Sequence, residues 1–340
     1  MTFLMRFELR TPIVVAPMAG AVTPSMVVAA CEAGALGSVA GASLSGPVLA
    51  AQLREVQQRT RRPFAVNLFI PGPERATPED IARARAELEP WRRRFGLPDG
   101  PPAKLPVFAD QLEALLLARP AAFSFCFGVP EAAVLERCRA LGIATIGTAT
   151  SPGDAQLLER AGVDFICVQG AEAGGHRGTF DPAEEPPTEG LATLLPQVAA
   201  AVRVELLAAG GIMDGAGIAQ VLSLGAVAAQ LGTAFLRAPE SAAPQIHKDA
   251  VANARADTAT LTRAFSGRPA RGLSNRFLRE VRAPAPFPMQ NALTREIRSA
   301  AAARGDPEAF SLWAGTGAPR SRALPTAELI AQLTHELQGG

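Results

Sequence analysis

The sequence predicts an α/β protein built as a closed (β/α)8 barrel, with an inserted helical domain after strand 8. Three observations predict it. Short apolar runs recur along the 340-residue chain at Ile13–Ala16, Leu36–Val39, Phe64–Leu68, Ala122–Cys126, Ile143–Ile146, Phe165–Val168, Val204–Ala208 and Val227–Leu231. Their length and composition suit strands buried on both faces. Helical patterns follow most of these runs, and glycine-rich turns follow the last three, where an α/β protein holds its ligand. A doubly wound open sheet is the competing arrangement, and eight units favour closure.

Taken in order, the helices announce their starts. Thr23 then Pro24 reads as an N-cap with proline in the first helical position, leading into Ser25–Ala33. Ser151-Pro152-Gly153-Asp154 repeats the signal before Ala155–Ala161, and Asp214 caps Gly215–Leu224. Two regions break the rhythm. Pro71 to Leu105 reads as an enlarged loop after strand 3, with one helical pattern over Pro78–Phe95. Arg237 to Arg304 follows strand 8 and reads as a helical cap over the barrel mouth. The expected division is therefore a barrel over residues 1–236, a helical substrate-binding cap over 237–304, and a segment over 305–340 returning to the barrel.

Composition narrows the function classes. Hydrophobic residues make up 48% of the chain, ample for a large core, and the net charge of +1 gives no overall field for nucleic acid or membrane. Cys31, Cys126, Cys138 and Cys167 are scattered without a CxxC pair, the pattern of buried reduced thiols. No basic-then-apolar leader opens the sequence, and the longest apolar stretch, Val221–Leu236, is broken by Ser223, Gly225, Gln230, Gly232 and Thr233. A soluble cytoplasmic protein is the expectation.

The stretch Phe165–Gly178, FICVQGAEAGGHRG, carries the chemistry. A buried strand stops at Gln169 and opens into a loop with Gly170, Gly174, Gly175 and Gly178, which presents Glu172, His176 and Arg177. His176 is one of three histidines, and its flanking glycines place it on an exposed, flexible loop at the ligand-facing end of a strand. It is the expected catalytic residue. Glu172 is expected to satisfy loop backbone groups or to pair with a basic residue. No His/Asp/Glu partner stands at metal-ligand spacing, and there is no G-x-S-x-G elbow. Gly210-Gly211 after the seventh strand and Gly232-Thr233 after the eighth form a pair of turns suited to a phosphate. Met18, in the small turn after the first strand, and the amides of Asn67 and Gln169 at strand ends suit the face and edge of a flat heterocycle.

The segments PIVVAPMAG, FAVNLF, FSFCFGVP, DFICVQGAEAGGHRG, LLAAGGIMDG and AQLGTAFL, together with SLWAG at Ser311–Gly315, closely resemble the nitronate monooxygenase family. The QGxEAGGH motif is shared with related FMN-dependent enoyl-acyl-carrier-protein reductases. The resemblance implies an FMN-binding TIM barrel with a helical substrate domain. It implies FMN contacts from Met18, Asn67, Gln169, Gly174, Gly175, Gly210, Gly211, Gly232 and Thr233. His176 would then stand near the flavin as catalytic base or as electrostatic partner of an anionic substrate. The implied reaction oxidises an alkyl nitronate, such as propionate 3-nitronate, with O2 to a carbonyl compound and nitrite. The alternative is an NAD(P)H-dependent FMN reductase of an enoyl thioester or quinone, and a third reading is an FMN-binding accessory protein. The expected partners are a small anionic substrate and O2, with a homodimer as one option for assembly. The chain departs from the family in having no tyrosine, where members often line the cleft with it, and in placing Thr316 after WAG. Between Lys248 and Arg304 eleven Lys/Arg face four Asp/Glu, and Arg268 and Arg271, in a predicted turn, are the expected cations of the mouth.

Overall fold

In the computed structural model, which describes residues 2–339, all eight predicted runs are strands of one parallel sheet. They are β1 (Ile13–Val15), β2 (Gly37–Ala40), β3 (Phe64–Phe69), β4 (Ala122–Cys126), β5 (Ala144–Ala149), β6 (Phe165–Gln169), β8 (Glu205–Ala209) and β9 (Ala226–Leu231). Three further strands, β7 (Gly175–His176), β10 (Ala259–Thr262) and β11 (Ala270–Leu273), form a separate antiparallel sheet.

The parallel sheet runs β1-β9-β8-β6-β5-β4-β3-β2 and closes on itself. The Val15 N–H donates to the Leu36 carbonyl at 2.9 Å, and the Leu36 N–H donates to the Ile13 carbonyl at 3.0 Å. Thus β1 is bonded on one side to β9 and on the other to the start of β2. A doubly wound open sheet would leave these groups as edges; here the ring is a barrel.

Successive strand residues face opposite sides, which divides the core in two. Val66, Phe123, Ile166, Val168 and Ala208 pack among the helices outside the ring. Ala65, Ala122, Ala144 and Ala228 cluster instead with Phe165 and Leu207 inside it. Four alanines leave the interior underfilled, and the short helix Phe3–Arg6 supplies what is missing. Phe3 lies 4.9 Å from Phe7 and 5.0 Å from Phe165, ring centroid to centroid, in edge-on contacts. The Phe3 N–H donates to Glu205 Oε2 at 2.6 Å. Because Phe165, Ala122 and Glu205 begin their strands, this plug seals the N-terminal end of the barrel. The opposite rim is left for a ligand.

The predicted helix starts hold in detail. Thr23 Oγ1 accepts from the Met26 N–H, Ser151 Oγ from the Asp154 N–H and Asp214 Oδ1 from the Gly217 N–H, at 2.8–3.1 Å. The predicted helix over Pro78–Phe95 has a full capping box between Thr77 and Asp80. Val221–Leu236 resolves into the end of one helix, a turn and β9. Among the described residues no helix is long and apolar enough to cross a membrane.

The segment following β9 is not wholly helical. Besides the helices Gln245–Ala252, Arg276–Glu280 and Met289–Ala303 it contains the β10–β11 hairpin, with Ala259 opposite Leu273. Helix Pro78–Phe95 joins this segment, because its Leu88, Trp91 and Phe95 share one core with Phe265, Phe277 and Ile297. Phe265 and Phe277 stack with centroids 4.4 Å apart, and Trp91 lies 5.0 Å from Phe277. The insertion after β3 and the segment after β9 thus form one cap. The C-terminal helix Thr326–Gly339 lays Leu329, Ile330 and Leu333 against the barrel helices.

If the barrel interior depends on the plug, Phe3→Ala should lower unfolding free energy by about 3–5 kcal/mol, the usual range for a buried phenylalanine. Denaturant unfolding measures it, and a loss below about 1 kcal/mol would show the plug to be dispensable.

Candidate active site

The loop after β6 is held from beneath. Arg177 is fully buried and donates through Nη1 to the Gly170 carbonyl and through Nη2 to the Gln169 carbonyl. Gln169 spans the loop from the other side. Its Oε1 accepts from the Gly178 N–H at 2.9 Å, and its Nε2 donates to the His176 carbonyl at 3.0 Å. Both Glu172 carboxylate oxygens accept from the Leu191 N–H, the first of helix Leu191–Ala201, as expected of a residue that satisfies backbone groups. Gly175 and His176 then pair with Arg271 and Ala270 of β11. The exposed, flexible loop expected from the glycines is therefore a bonded, half-buried strand. The glycines serve close packing instead. A Cβ on Gly174 would lie 2.4 Å from the Gly315 nitrogen, and one on Gly315 would lie 2.5 Å from the Glu172 carbonyl oxygen. The EAGGH and SLWAG segments lie backbone against backbone.

This packing places Trp313 beside His176, with ring centroids 5.7 Å apart. Phe127, Phe69 and Phe287 complete a box around the imidazole at 5.8, 5.9 and 6.0 Å. Phe127 holds its place at φ +80°, a region that bulky residues rarely occupy. Behind Trp313, buried His247 hydrogen-bonds through Nε2 to its carbonyl at 3.0 Å. His247 is thus an interior residue, and burial pushes its pKa down to about 4.

His176 Nε2 lies 2.9 Å from Ser266 Oγ. That hydroxyl donates to the Arg268 carbonyl at 3.1 Å, so toward the imidazole it acts as acceptor. This assigns the proton to Nε2 and the lone pair to Nδ1. Burial, and then the Arg268 and Arg298 guanidinium groups, push the His176 pKa down to about 3. The imidazole is neutral at physiological pH.

Above the C-terminal ends of the strands lies a cavity of about 760 Å³, within the range of cofactor sites. His176, Met18, Asn67, Gln169, Gly174, Gly175, Gly210, Gly211, Gly232 and Thr233 all line it. Gly210 and Gly211 adopt φ +133° and +69°, and among the described residues no backbone carbonyl takes the N–H of Gly211 or Gly232. Such unused N–H groups, with no side chain above them, fit a phosphate. Asn67 Nδ2 donates to Ser124 Oγ at 3.0 Å, leaving its oxygen unused. Cys126 and Cys167 also line the cavity, and burial pushes both thiols up to about 12. They are protonated and are not nucleophiles.

Charge on the wall has one sign. Arg75, Lys104, Arg268, Arg295 and Arg298 line the cavity, and no Asp or Glu does. The expected pair of mouth arginines is half right. Arg268 lines the cavity, but buried, its guanidinium 3.7 Å from the Phe127 ring centroid and donating to the Thr179 carbonyl. Arg271 does not reach the cavity; it donates to the carbonyls of Ala171 and Ala259 at 2.8 and 3.0 Å. The glycines around both suggested an exposed turn, whereas Ala270–Leu273 is the middle strand of the small sheet. Sequence reasoning missed the aromatic box, Ser266, Arg295 and Arg298. Only the cationic excess of the segment pointed toward the two arginines.

Comparison with known proteins agrees with this geometry. Residues 1–336 match the family described as nitronate monooxygenase. The chain is 41% identical to a nitronate monooxygenase of Pseudomonas aeruginosa over 97% of both chains. It is 36% identical to a probable nitronate monooxygenase of Staphylococcus aureus over 96% of this chain and 94% of the other. Among solved structures, a nitroalkane oxidase from Streptomyces ansochromogenes superposes with a TM-score of 0.94 at 41% identity, covering 98% of each chain. FabK from Thermotoga maritima superposes at 0.77 with 26% identity, over 99% of this chain and 95% of that one. With the family matched across nearly the whole length, the chain belongs to the nitronate monooxygenase family.

Proposed function

We propose that this chain binds FMN at the C-terminal rim of the barrel and oxidises an alkyl nitronate, such as propionate 3-nitronate, with O2 to a carbonyl compound and nitrite. The observation that carries the substrate class is a neutral imidazole in a cavity whose wall bears cations and no carboxylate. Gly210, Gly211, Gly232 and Thr233 would hold the phosphate, and Met18, Asn67, Gln169, Gly174 and Gly175 the ring system. Bound there, FMN would accept electrons from the substrate and pass them to O2.

The protein's own part is electrostatic. An anion entering the cavity meets Arg268 and Arg298, both of which act on His176. A base with a pKa of about 3 is poorly matched to removing a carbon-bound proton at neutral pH. A nitronate has already lost that proton, so the site suits the anion better than the neutral nitroalkane. His176, neutral and with its proton engaged by Ser266, offers only the Nδ1 lone pair, so toward a nitronate it serves by packing and position within the aromatic box.

The cationic wall would also suit the phosphates of NAD(P)H, which keeps reduction of an enoyl thioester or quinone as a second reading. Anaerobic mixing separates the two. Nitronate, and neither NADH nor NADPH, is expected to bleach the flavin; bleaching by a nicotinamide alone would overturn the proposal.

Three further outcomes are expected. Gly232→Ala should leave the fold intact, because the new Cβ would meet Ala16 and Met18 at 3.5 Å, an ordinary contact. The added methyl should weaken FMN binding at least about tenfold, a change of about 1.4 kcal/mol, measured by flavin release on dilution. Gly211 is the poorer test, since its φ of +69° and the Glu172 Cβ 3.1 Å away demand glycine for the fold itself.

His176→Asn should retain flavin and lose turnover on preformed nitronate by less than the roughly 10²–10⁴-fold that a general acid–base group contributes. In the parent protein, the rate with preformed nitronate should show no inflection near pH 6.5, because burial, Arg268 and Arg298 have moved the His176 titration to about 3. A pH–rate profile with a step near 6.5 that vanishes in His176→Asn would show the imidazole to titrate in catalysis.

A further inference from the structure

Arg298 stands on the cap helix Met289–Ala303 and faces the cavity. Its Nη2 donates to the main-chain and side-chain oxygens of Asn291 at 2.9 and 2.8 Å. Its Nε is shut off from solvent and has no acceptor. Its Nη1 makes no hydrogen bond among the described residues, and no carboxylate forms an ion pair with it. The one charge that acts on it is Arg295, of the same sign.

Other arginines of the cap are provided for. Arg263, Arg276 and Arg279 meet Glu185, Glu280 and Glu308. Arg271 has two carbonyls. Arg268 also has an unused Nε, but it lies on the Phe127 ring with the Asp181 charge in range. Arg298 alone among these is desolvated, uncompensated and aimed at open space. A cation withdrawn from water is costly without a counter-charge, and the cavity wall offers none. The missing counter-charge must come from what enters the cavity.

We propose that Arg298 is the anchor for an anionic group of the substrate, of the carboxylate or nitronate kind, received by the free donor at Nη1, with the guanidinium held in aim by Asn291 through Nη2. The assignment rests on the nitronate reading of the site and adds the residue that recognises the anion. Two substrate groups share this chemistry: the reacting nitronate itself and a carboxylate elsewhere on the molecule.

The test compares wild-type holoenzyme with Arg298→Gln and Arg298→Lys on ethyl nitronate, which carries one anionic group, and on propionate 3-nitronate, which carries two. Removing the charge should raise KM at least about tenfold while kcat changes much less, and lysine should recover most of the loss. Equal rises for both substrates mean that Arg298 holds the nitronate. A rise confined to propionate 3-nitronate means that it holds the carboxylate. Nitrate, an unreactive planar anion, should bind the resting holoenzyme in calorimetric titration and lose affinity in Arg298→Gln. This arm needs no turnover, so it judges the anchor even if nitronates prove not to be substrates. Should Arg298→Gln fail to fold, Arg298→Met carries the nitrate titration; it keeps the aliphatic stem but removes the charge, and a loss of affinity of at least about tenfold is expected. Unchanged KM for both substrates, or nitrate affinity indifferent to residue 298, overturns the proposal.

Discussion

The pairing of Gly175 and His176 with Ala270 and Arg271 is the constraint on which the site depends. Through it the loop after β6 becomes one edge of the small sheet, and the cap is joined to the barrel at the position of the histidine. Neither partner would hold the geometry alone. A two-residue strand has almost no stability of its own, and the β10–β11 hairpin would be marginal in isolation. Arg177 supplies the rest by taking the Gly170 and Gln169 carbonyls from below, so the loop cannot fall away from the cap. Burial pushes the Arg177 pKa down to about 10, with Glu172 opposing the shift, and the same Glu172 tethers the loop to helix Leu191–Ala201. One carboxylate thus offsets a buried cation and fixes a backbone.

From that constraint follows the separation of charge in the cavity. The acids near the site are turned into the scaffold, as Glu172 is, or out to the surface, as Asp181 is in its pair with Arg75 at 2.7 Å. The cations Arg268 and Arg298 remain on the cavity side and add to burial in lowering the His176 pKa. An imidazolium in that place would add a third positive charge beside Arg268 and Arg298. The cations that make the cavity receptive to an anion thus add to the burial that already keeps the histidine neutral.

Most of the barrel was legible because its signals are local. Each strand is a short apolar run, and each helix start at Thr23, Ser151 and Asp214 is a side chain bonding to an N–H three residues on. The cavity lining was legible for a related reason, since strand ends and glycine turns point to the rim of a barrel. What stayed hidden depends on partners distant in sequence. The plug is visible only once four alanines inside the ring show a space for Phe3 and Phe7. Gly174 reads as a hinge until Gly315 is seen against it. The β10–β11 hairpin was obscured because Arg268 and Arg271 stand beside Gly267, Pro269 and Gly272, which are turn residues by composition. Arg298 looks like one cation on the polar face of a helix, and only the absence of a facing acid sets it apart.

The aromatic box bears on what this site can select. With no tyrosine in the chain, Phe69, Phe127, Phe287 and Trp313 surround His176 without a phenolic hydroxyl, and the one added donor is the Trp313 indole N–H. Side-chain hydrogen bonding to a molecule bound beside the imidazole therefore falls to few groups: the imidazole itself, the free oxygen of Asn67, and the guanidinium groups beyond the rings. Apolar walls discriminate weakly between alkyl chains differing by one carbon, by about 1–3 kcal/mol. Charge discriminates more strongly in a desolvated cavity, where an unpaired ion is costly. Holding Phe127 at φ +80° has a purpose in this light, because the same ring carries Arg268 on one side and confines the imidazole on the other. The selectivity of such a site lies in the sign of its ligand's charge before the shape of its chain.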